Sequence, residues 1–273
     1  MIILNGKRIS EKIFRNLKKE IKRKRLQLKL AVISVGDNPV SEIFIKEKEK
    51  TCQRIGISFE LFEFSSNISE TELKGKIKGI VNNPENSGIV IQLPLSENFN
   101  TQEILNLIPP GKDVDVLSEE STEKFREGSL KILPPVVEGI KKLLEEYKIS
   151  VKNKKIVLVG AGKLVGKPLS VWLSRENADF SVVDKKTEDI SSFTKKADII
   201  ISGVGKSKLI TGEMVKEGAV LIDAGTSCEG CKAVGDIDFE SVSKKAGYIT
   251  PVPGGVGPLT VVCLLENLMK LNK

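Results

Sequence analysis

Residues 156–159 (Ile-Val-Leu-Val) read as a strand and run straight into Gly160, Gly162 and Gly166, a G-x-G-x-x-x-G spacing. Glycines let the backbone turn sharply and approach a pyrophosphate, whose charge then sits at the positive end of the following helix. The spacing is one residue longer than the commonest fingerprint. The context the motif requires is nevertheless present: a strand before it, a helical pattern after it, and a second strand ending in Asp184. Gly160, Ala161, Gly162, Val165 and Gly166 are therefore expected to hold a dinucleotide, the alternative being an ordinary tight strand-to-helix turn. Asp184 suits the ribose hydroxyls of NAD, whereas Lys185 and Lys186 beside it suit the 2′-phosphate of NADP.

The chain contains no histidine. Histidine triads, imidazole proton shuttles and histidine-ligated metals are excluded, and acid–base chemistry falls to Lys, Asp, Glu, Tyr or Cys. Lys48 stands in Lys46-Glu47-Lys48-Glu49-Lys50, which by itself reads as a solvated charge run. Phe44 is four residues before it, so the two project from one helix face. Cys228 and Cys231 form a single C-x-x-C, which cannot complete a tetrahedral zinc site within one chain and reads as a structural turn.

The formal charge is +7. Much of it lies in residues 7–29, where Ile13, Phe14, Leu17 and Ile21 recur at helical spacing after Ser10, the expected N-cap. The basic residues occupy the opposite, solvated face. Aromatic residues make up 5% of the chain, which leaves few stacking platforms for a nucleic acid. No apolar run approaches the ~18–20 residues a membrane span needs, and the amino terminus is too short in apolar residues for a secretory signal. A cytoplasmic protein that binds neither nucleic acid nor membrane is expected.

Strand-like and helix-like stretches alternate along both halves. Strands are expected at 30–35, 59–64, 88–93, 156–159, 180–183, 197–202, 219–222 and 248–250, and helices at 41–55, 70–81, 136–147 and 256–271. Residues 94–135 read as a long ordered loop with short helices. This alternation implies βαβ units and parallel sheets. The fold class is α/β with two domains: an N-terminal α/β catalytic domain (1–134 plus 256–273) and a Rossmann-like parallel-sheet dinucleotide-binding domain (135–255).

Several motifs resemble the methylenetetrahydrofolate dehydrogenase/cyclohydrolase family. The most specific is Ile249-Thr250-Pro251-Val252-Pro253-Gly254-Gly255-Val256-Gly257-Pro258-Leu259-Thr260, preceded by Gly235-Asp236-Ile237-Asp238-Phe239. Gln92-Leu93-Pro94-Leu95 and Lys112-Asp113-Val114-Asp115 match in order, as does Gly36-Asp37-Asn38-Pro39 with Ser41, Phe44, Lys48, Lys50 and Cys52. The match covers nearly the whole chain.

The resemblance implies oxidation of 5,10-methylenetetrahydrofolate by NADP, with NAD as the alternative, and hydrolysis of the methenyl product to 10-formyltetrahydrofolate. It places the chain in one-carbon metabolism, upstream of purine biosynthesis, with no metal. Lys48 becomes the proton-moving base, and Gln92 orients it. Asp115 accepts hydrogen bonds from the pterin. Phe44, Ile91, Leu93, Pro253, Gly254, Gly255, Val256, Gly257, Pro258 and Thr260 would contact substrate, and Thr226 would join the turn residues, Asp184 and Lys185 at the dinucleotide. A folate carrying a polyglutamate tail and a homodimer are also implied.

Four departures stand out. Phe44 replaces the usual tyrosine, Val116 replaces a glycine, Pro134-Pro135-Val136-Val137 replaces P-C-T-P, and Ala161 and Lys185 stand where relatives use arginine and serine. Two alternatives explain part of the pattern. A shikimate- or amino-acid-dehydrogenase-like enzyme accounts for the glycine turn and Lys48 but not for 92–95 or 253–258. A non-catalytic folate or dinucleotide binder accounts for the lost tyrosine.

Overall fold

The computed structural model describes residues 1–229 and 232–273. In chain order the elements are β1 (Ile2–Ile3), α1 (Gly6–Lys24), β2 (Lys29–Val35), α2 (Pro39–Ile55), β3 (Ser58–Phe64), α3 (Glu70–Asn82) and β4 (Gly88–Ile91). Next come α4 (Thr101–Leu105), α5 (Glu119–Glu127), α6 (Pro135–Glu146), β5 (Lys155–Val159), α7 (Gly166–Arg175), β6 (Asp179–Val183), α8 (Ile190–Thr194) and β7 (Ile199–Ser202). A 3-10 turn (Gly212–Met214), β8 (Val220–Asp223), β9 (Ser227–Glu229), β10 (Lys232–Val234), α9 (Phe239–Val242), β11 (Tyr248–Ile249) and α10 (Val256–Leu271) complete the chain. No helix among the described residues is long and apolar enough to cross a membrane.

The chain forms two compact units. One comprises Lys12–Pro135 with Val261–Lys273, and the other Met1–Glu11 with Val136–Thr260. The first unit is built on a parallel sheet of order β3-β2-β4. Its central strand alternates with period two, so Leu30 and Val32 face one side and Ala31 and Ile33 the other. Leu30 and Val32 pack with Phe14, Leu17 and Ile21 of α1, Cys52 of α2 and Leu265 of α10. Ala31 and Ile33 pack with Leu73 and Ile77 of α3 and with Ile91. Each Leu, Ile, Val or Phe side chain among them, fully buried, contributes roughly 1.5–3 kcal/mol. This requirement for two apolar faces is why the sheet is sandwiched between helices.

The second unit contains a six-stranded, all-parallel sheet of order β1-β11-β8-β7-β5-β6. Val157, Val159, Ile200 and Leu221 form its core with Val242 and Ile249. From β5 the chain passes outward to β6 and then returns to the other side to lay down β7. That reversal creates a crevice at the carboxyl ends of β5 and β7, where ligands of open α/β sheets bind. A short antiparallel hairpin, β9 with β10, follows β8.

One expectation is overturned. Helix α1 begins at Gly6, and the Asn5 side chain accepts a hydrogen bond from the Arg8 amide at 2.9 Å. Asn5 is therefore the cap, and Ser10 lies inside the helix with its hydroxyl donating to the Lys7 carbonyl. Asparagine is at least as good a cap as serine, and its position lets the helix gain a further turn. Cys228 is half-buried on β9, and Cys231 lies outside the described residues.

Candidate functional site

Helix α2 carries the first cluster. Asn38 caps it by accepting from the Ser41 amide at 2.9 Å, and Pro39 occupies its first turn, where a missing N–H costs nothing. The buried face is Ser41, Ile45, Lys48, Cys52 and Ile55, a three-to-four residue spacing that includes one ammonium. Lys48 is only 7% exposed. Its Nζ donates to Gln92 Oε1 at 2.7 Å. Since an ammonium can only donate, the amide must turn its oxygen to the lysine. Its nitrogen donates to the Leu93 carbonyl at 3.0 Å, and that carbonyl also accepts from Ser41 Oγ at 3.2 Å. Gln92 is itself anchored just past β4 by its amide, which donates to Ile33 O.

Asp115 sits on the loop that follows the chain's return beside β4, where Ile89 bridges Asp113. Asp113, 1% exposed, folds this loop around its own carboxylate. Its Oδ2 accepts from the amides of Leu117 (3.0 Å) and Ser118 (2.9 Å) and from Ser118 Oγ (2.8 Å). Asn267 of α10 donates to the Val114 carbonyl at 3.0 Å. Val116 is held at φ +59°, a left-handed conformation that a β-branched residue adopts only under constraint.

Burial lowers the Lys48 pKa from the ordinary lysine value, while Asp115 and Cys52 pull it back up. Burial raises Asp115 to about 6, with Lys48 opposing and Asp113 adding to the rise. An amine pushed down and a carboxyl pushed up in one site bring proton exchange toward neutral pH, the pattern expected of acid–base groups. The Cys52 thiol, 0% exposed, is pushed up to about 12 by burial, so it stays neutral and serves as apolar packing beneath the lysine.

In the other unit, β5 leads into Gly160 at φ +105°, whose amide donates to the Val183 carbonyl of β6. A Cβ on Gly166 would overlap the Gly160 carbonyl oxygen, so only glycine lets the turn close this tightly. Ala161 and Gly162 are exposed, and no described side chain caps the N-terminus of α7. Exposed turn backbone leading into a helix N-terminus without a side-chain cap presents the positive end of the helix dipole to an anion, so these residues fit a dinucleotide's pyrophosphate.

Asp184 follows β6, and its Oδ1 accepts from the Lys186 amide at 2.9 Å, which turns it partly toward its own chain. Lys185 is exposed. The Thr226 carbonyl would lie 3.4 Å from a Cβ on Gly205, which places it beside the loop after β7.

Lys48, Gln92, Asp115, Phe44 and Leu93 thus belong to one unit. Phe44 and Leu93 are half-buried, whereas Ile91 is 2% exposed and packs in the core, so its side chain supports β4. The turn 160–166, Asp184, Lys185, Thr226 and residues 253–260 belong to the other unit. Within 253–260, Pro253 is exposed, Gly254 has φ +108°, and Gly255 and Val256 are buried at the start of α10. Gly257, Pro258 and Thr260 are half-buried, and the Thr260 hydroxyl donates to the Val256 carbonyl at 3.2 Å.

Sequence reasoning missed the Asp113–Ser118 clamp, and it missed loop 203–206 with the buried carboxylates Asp223 and Asp236. A Gly-x-Gly directly after the apolar strand ending at Ser202 was the available signal for that loop.

The tetrahydrofolate dehydrogenase/cyclohydrolase catalytic domain matches residues 4–115, and the NAD(P)-binding domain of the same family matches residues 134–273. The bifunctional protein FolD of Nautilia profundicola is 46% identical over 277 residues, covering 100% of this chain and 98% of that protein. The crystal structure of the bifunctional FolD methylenetetrahydrofolate dehydrogenase/cyclohydrolase from Campylobacter jejuni is 40% identical with a TM-score of 0.92. It covers 99% of this chain and 98% of that one. The Trypanosoma brucei methylenetetrahydrofolate dehydrogenase-cyclohydrolase, complexed with NADP cofactor and inhibitor, is 30% identical with a TM-score of 0.93, covering 99% and 97%. On its motifs, its two matched domains and its full-length relatives, the chain belongs to the tetrahydrofolate dehydrogenase/cyclohydrolase family.

Proposed function

We propose that this chain oxidises 5,10-methylenetetrahydrofolate to the methenyl form with NADP+ and hydrolyses that product to 10-formyltetrahydrofolate, with Lys48 as the general acid/base. The observation that carries this reading is the buried Lys48 ammonium, hydrogen-bonded to Gln92 and facing the raised carboxyl of Asp115. Hydride loss from the methylene carbon of this folate gives the methenyl cation directly and releases no proton, so that step has no use for a desolvated amine. A hydrolase needs one to move protons as water adds to the electrophilic methenyl carbon.

Gln92 fixes the rotamer of the lysine. Asp115, held by the Asp113 loop, accepts from the pterin amide and amine. Phe44, one helical turn before Lys48, offers its ring face to the substrate. In place of the usual tyrosine it supplies no hydroxyl, which leaves Lys48 as the group that handles protons on α2. Residues 253–260, rich in glycine and proline, would let a substrate approach the backbone closely. The dinucleotide, when bound, supplies the hydride acceptor. This chain's part is to hold it at 160–166.

The T. brucei relative's NADP complex supports NADP+. So do the exposed Lys185 and an Asp184 partly engaged with its own turn. The exposed basic residues of α1, such as Arg15, Lys18, Lys19 and Lys22, support attraction of a polyglutamylated folate. The edge strand β6, with Val182 exposed and α8 beside it carrying exposed Phe193, supports a homodimer.

Methenyltetrahydrofolate supplied without any dinucleotide tests the hydrolytic half. Enzyme-dependent formation of 10-formyltetrahydrofolate is the expected result. A rate no faster than buffer would overturn the reading.

A further inference from the structure

Loop 203–206 follows β7 at the sheet's switch point, beside the glycine turn. A Cβ on Gly203 would overlap the Val165 side chain, and a Cβ on Gly160 would stand 2.9 Å from the Gly203 carbonyl oxygen. The turn 160–166 therefore keeps its shape only while residues 203–206 keep theirs.

What holds 203–206 comes from thirty residues downstream. Asp236, 0% exposed, accepts four hydrogen bonds. Its Oδ2 takes Ser202 Oγ and the Val204 amide, each at 2.7 Å. Its Oδ1 takes the amides of Gly205 at 2.9 Å and Lys206 at 2.8 Å. Three consecutive amides converging on one anion make a nest of the kind that elsewhere receives phosphate. Here the chain fills the nest with its own carboxylate.

A second buried acid anchors the first. Asp223 Oδ1 accepts from the Asp236 amide at 3.1 Å and from the Gly225 amide at 3.0 Å, and its Oδ2 accepts from the Ile237 amide at 2.9 Å. A Cβ on Gly225 would overlap the Asp236 carboxylate, and one on Gly235 would overlap that of Asp223. Glycines thus stand at both places where the two acids need room.

We propose that Asp236 is a positioning residue of the dinucleotide site: its carboxylate fills the 204–206 amide nest, sets the wall that shapes turn 160–166 and leaves that turn as the place for the cofactor's phosphates. The inference rests on the dinucleotide reading of the turn. Asp236→Asn keeps the volume but replaces one acceptor with an NH2 group that faces two donors, so the loop must move.

The test is calorimetric titration of the purified full-length protein with NADP+, with methenyltetrahydrofolate hydrolysis measured in the same preparations. The expected result for Asp236→Asn is a Kd for NADP+ at least tenfold weaker, with a loss in hydrolytic kcat/KM at least fivefold smaller than the loss in affinity. Ser202→Ala, which removes one donor and keeps the carboxylate, is expected to weaken NADP+ binding two- to fivefold and is the deciding variant if Asp236→Asn does not fold. Unchanged NADP+ affinity in the folded variant would overturn the proposal, and so would equal losses of affinity and hydrolysis. Failure of the unaltered chain to bind NADP+ would overturn the dinucleotide reading, and the proposal with it.

Discussion

Replacing Lys48 by methionine removes the ammonium and keeps the length of the side chain. Two stability terms oppose each other. The hydrogen bond to Gln92 Oε1 at 2.7 Å is lost, a charge-assisted bond worth roughly 1.5–3 kcal/mol, and the amide oxygen is left facing an apolar group. Against this, the desolvation of a side chain only 7% exposed is relieved, which is worth several kcal/mol for a buried ion. The net change is expected to lie within about 2 kcal/mol, well inside a total stability of roughly 5–15 kcal/mol. At about 2–4 °C per kcal/mol, Tm shifts by a few degrees.

The catalytic term is larger. A positioned acid/base contributes about 10²–10⁴-fold, or roughly 3–5 kcal/mol of barrier. Removing the Lys48 charge also releases the pull that keeps Asp115 down, so Asp115 titrates above its value of about 6 and folate binding weakens. Hydrolysis must therefore be read as kcat at saturating methenyltetrahydrofolate, followed by loss of the methenyl absorbance. A fall of at least a hundredfold with retained circular dichroism is expected. A kcat within threefold of the unaltered enzyme would refute the reasoning.

The pH dependence follows from the same pair. As pH falls through about 6, Asp115 takes up a proton and stops accepting from the pterin, so kcat/KM for folate should fall on the acid side with that midpoint. Asp115→Asn should flatten this limb as well as lower the plateau, and persistence of the limb in the variant would assign it elsewhere. Val116→Gly should cost little. Relief of the left-handed strain at φ +59°, about 1–2 kcal/mol, offsets most of the roughly 1.5–3 kcal/mol lost with a side chain 4% exposed. A loss beyond about 3 kcal/mol in urea unfolding would show that no strain was stored there.

The strands and helices with strong periodicity were legible to within a residue or two. The strand expected at 30–35 is Lys29–Val35, and the helix expected at 256–271 is Val256–Leu271. The turn 160–166 was legible because strand, glycines and helix are consecutive. Two-residue strands were not legible. Ile2 and Ile3 become β1 only because β11, well over two hundred residues later, offers a parallel edge, and parallel pairing leaves no local mark. The cap of α1 was misplaced because Asn5 and Ser10 are both competent and only the backbone decides. Asp236 was visible as part of a motif. Its four donors lie 30 to 34 residues upstream, so its task as the anion of a loop could not be read from spacing. Lys48 shows the same limit from the other side, since Lys-Glu-Lys-Glu-Lys looks solvated until the fold buries one lysine of the five residues.

In the proposed reading a single chain oxidises a folate-bound one-carbon unit and then hydrolyses the product. The most direct measurement follows dinucleotide reduction and folate products together, after adding 5,10-methylenetetrahydrofolate with NADP+ or with NAD+ to the purified protein. Reduction that is faster with NADP+, with 10-formyltetrahydrofolate accumulating, is the predicted result. No reduction of either dinucleotide, in a preparation that is folded and binds NADP+, would contradict the account.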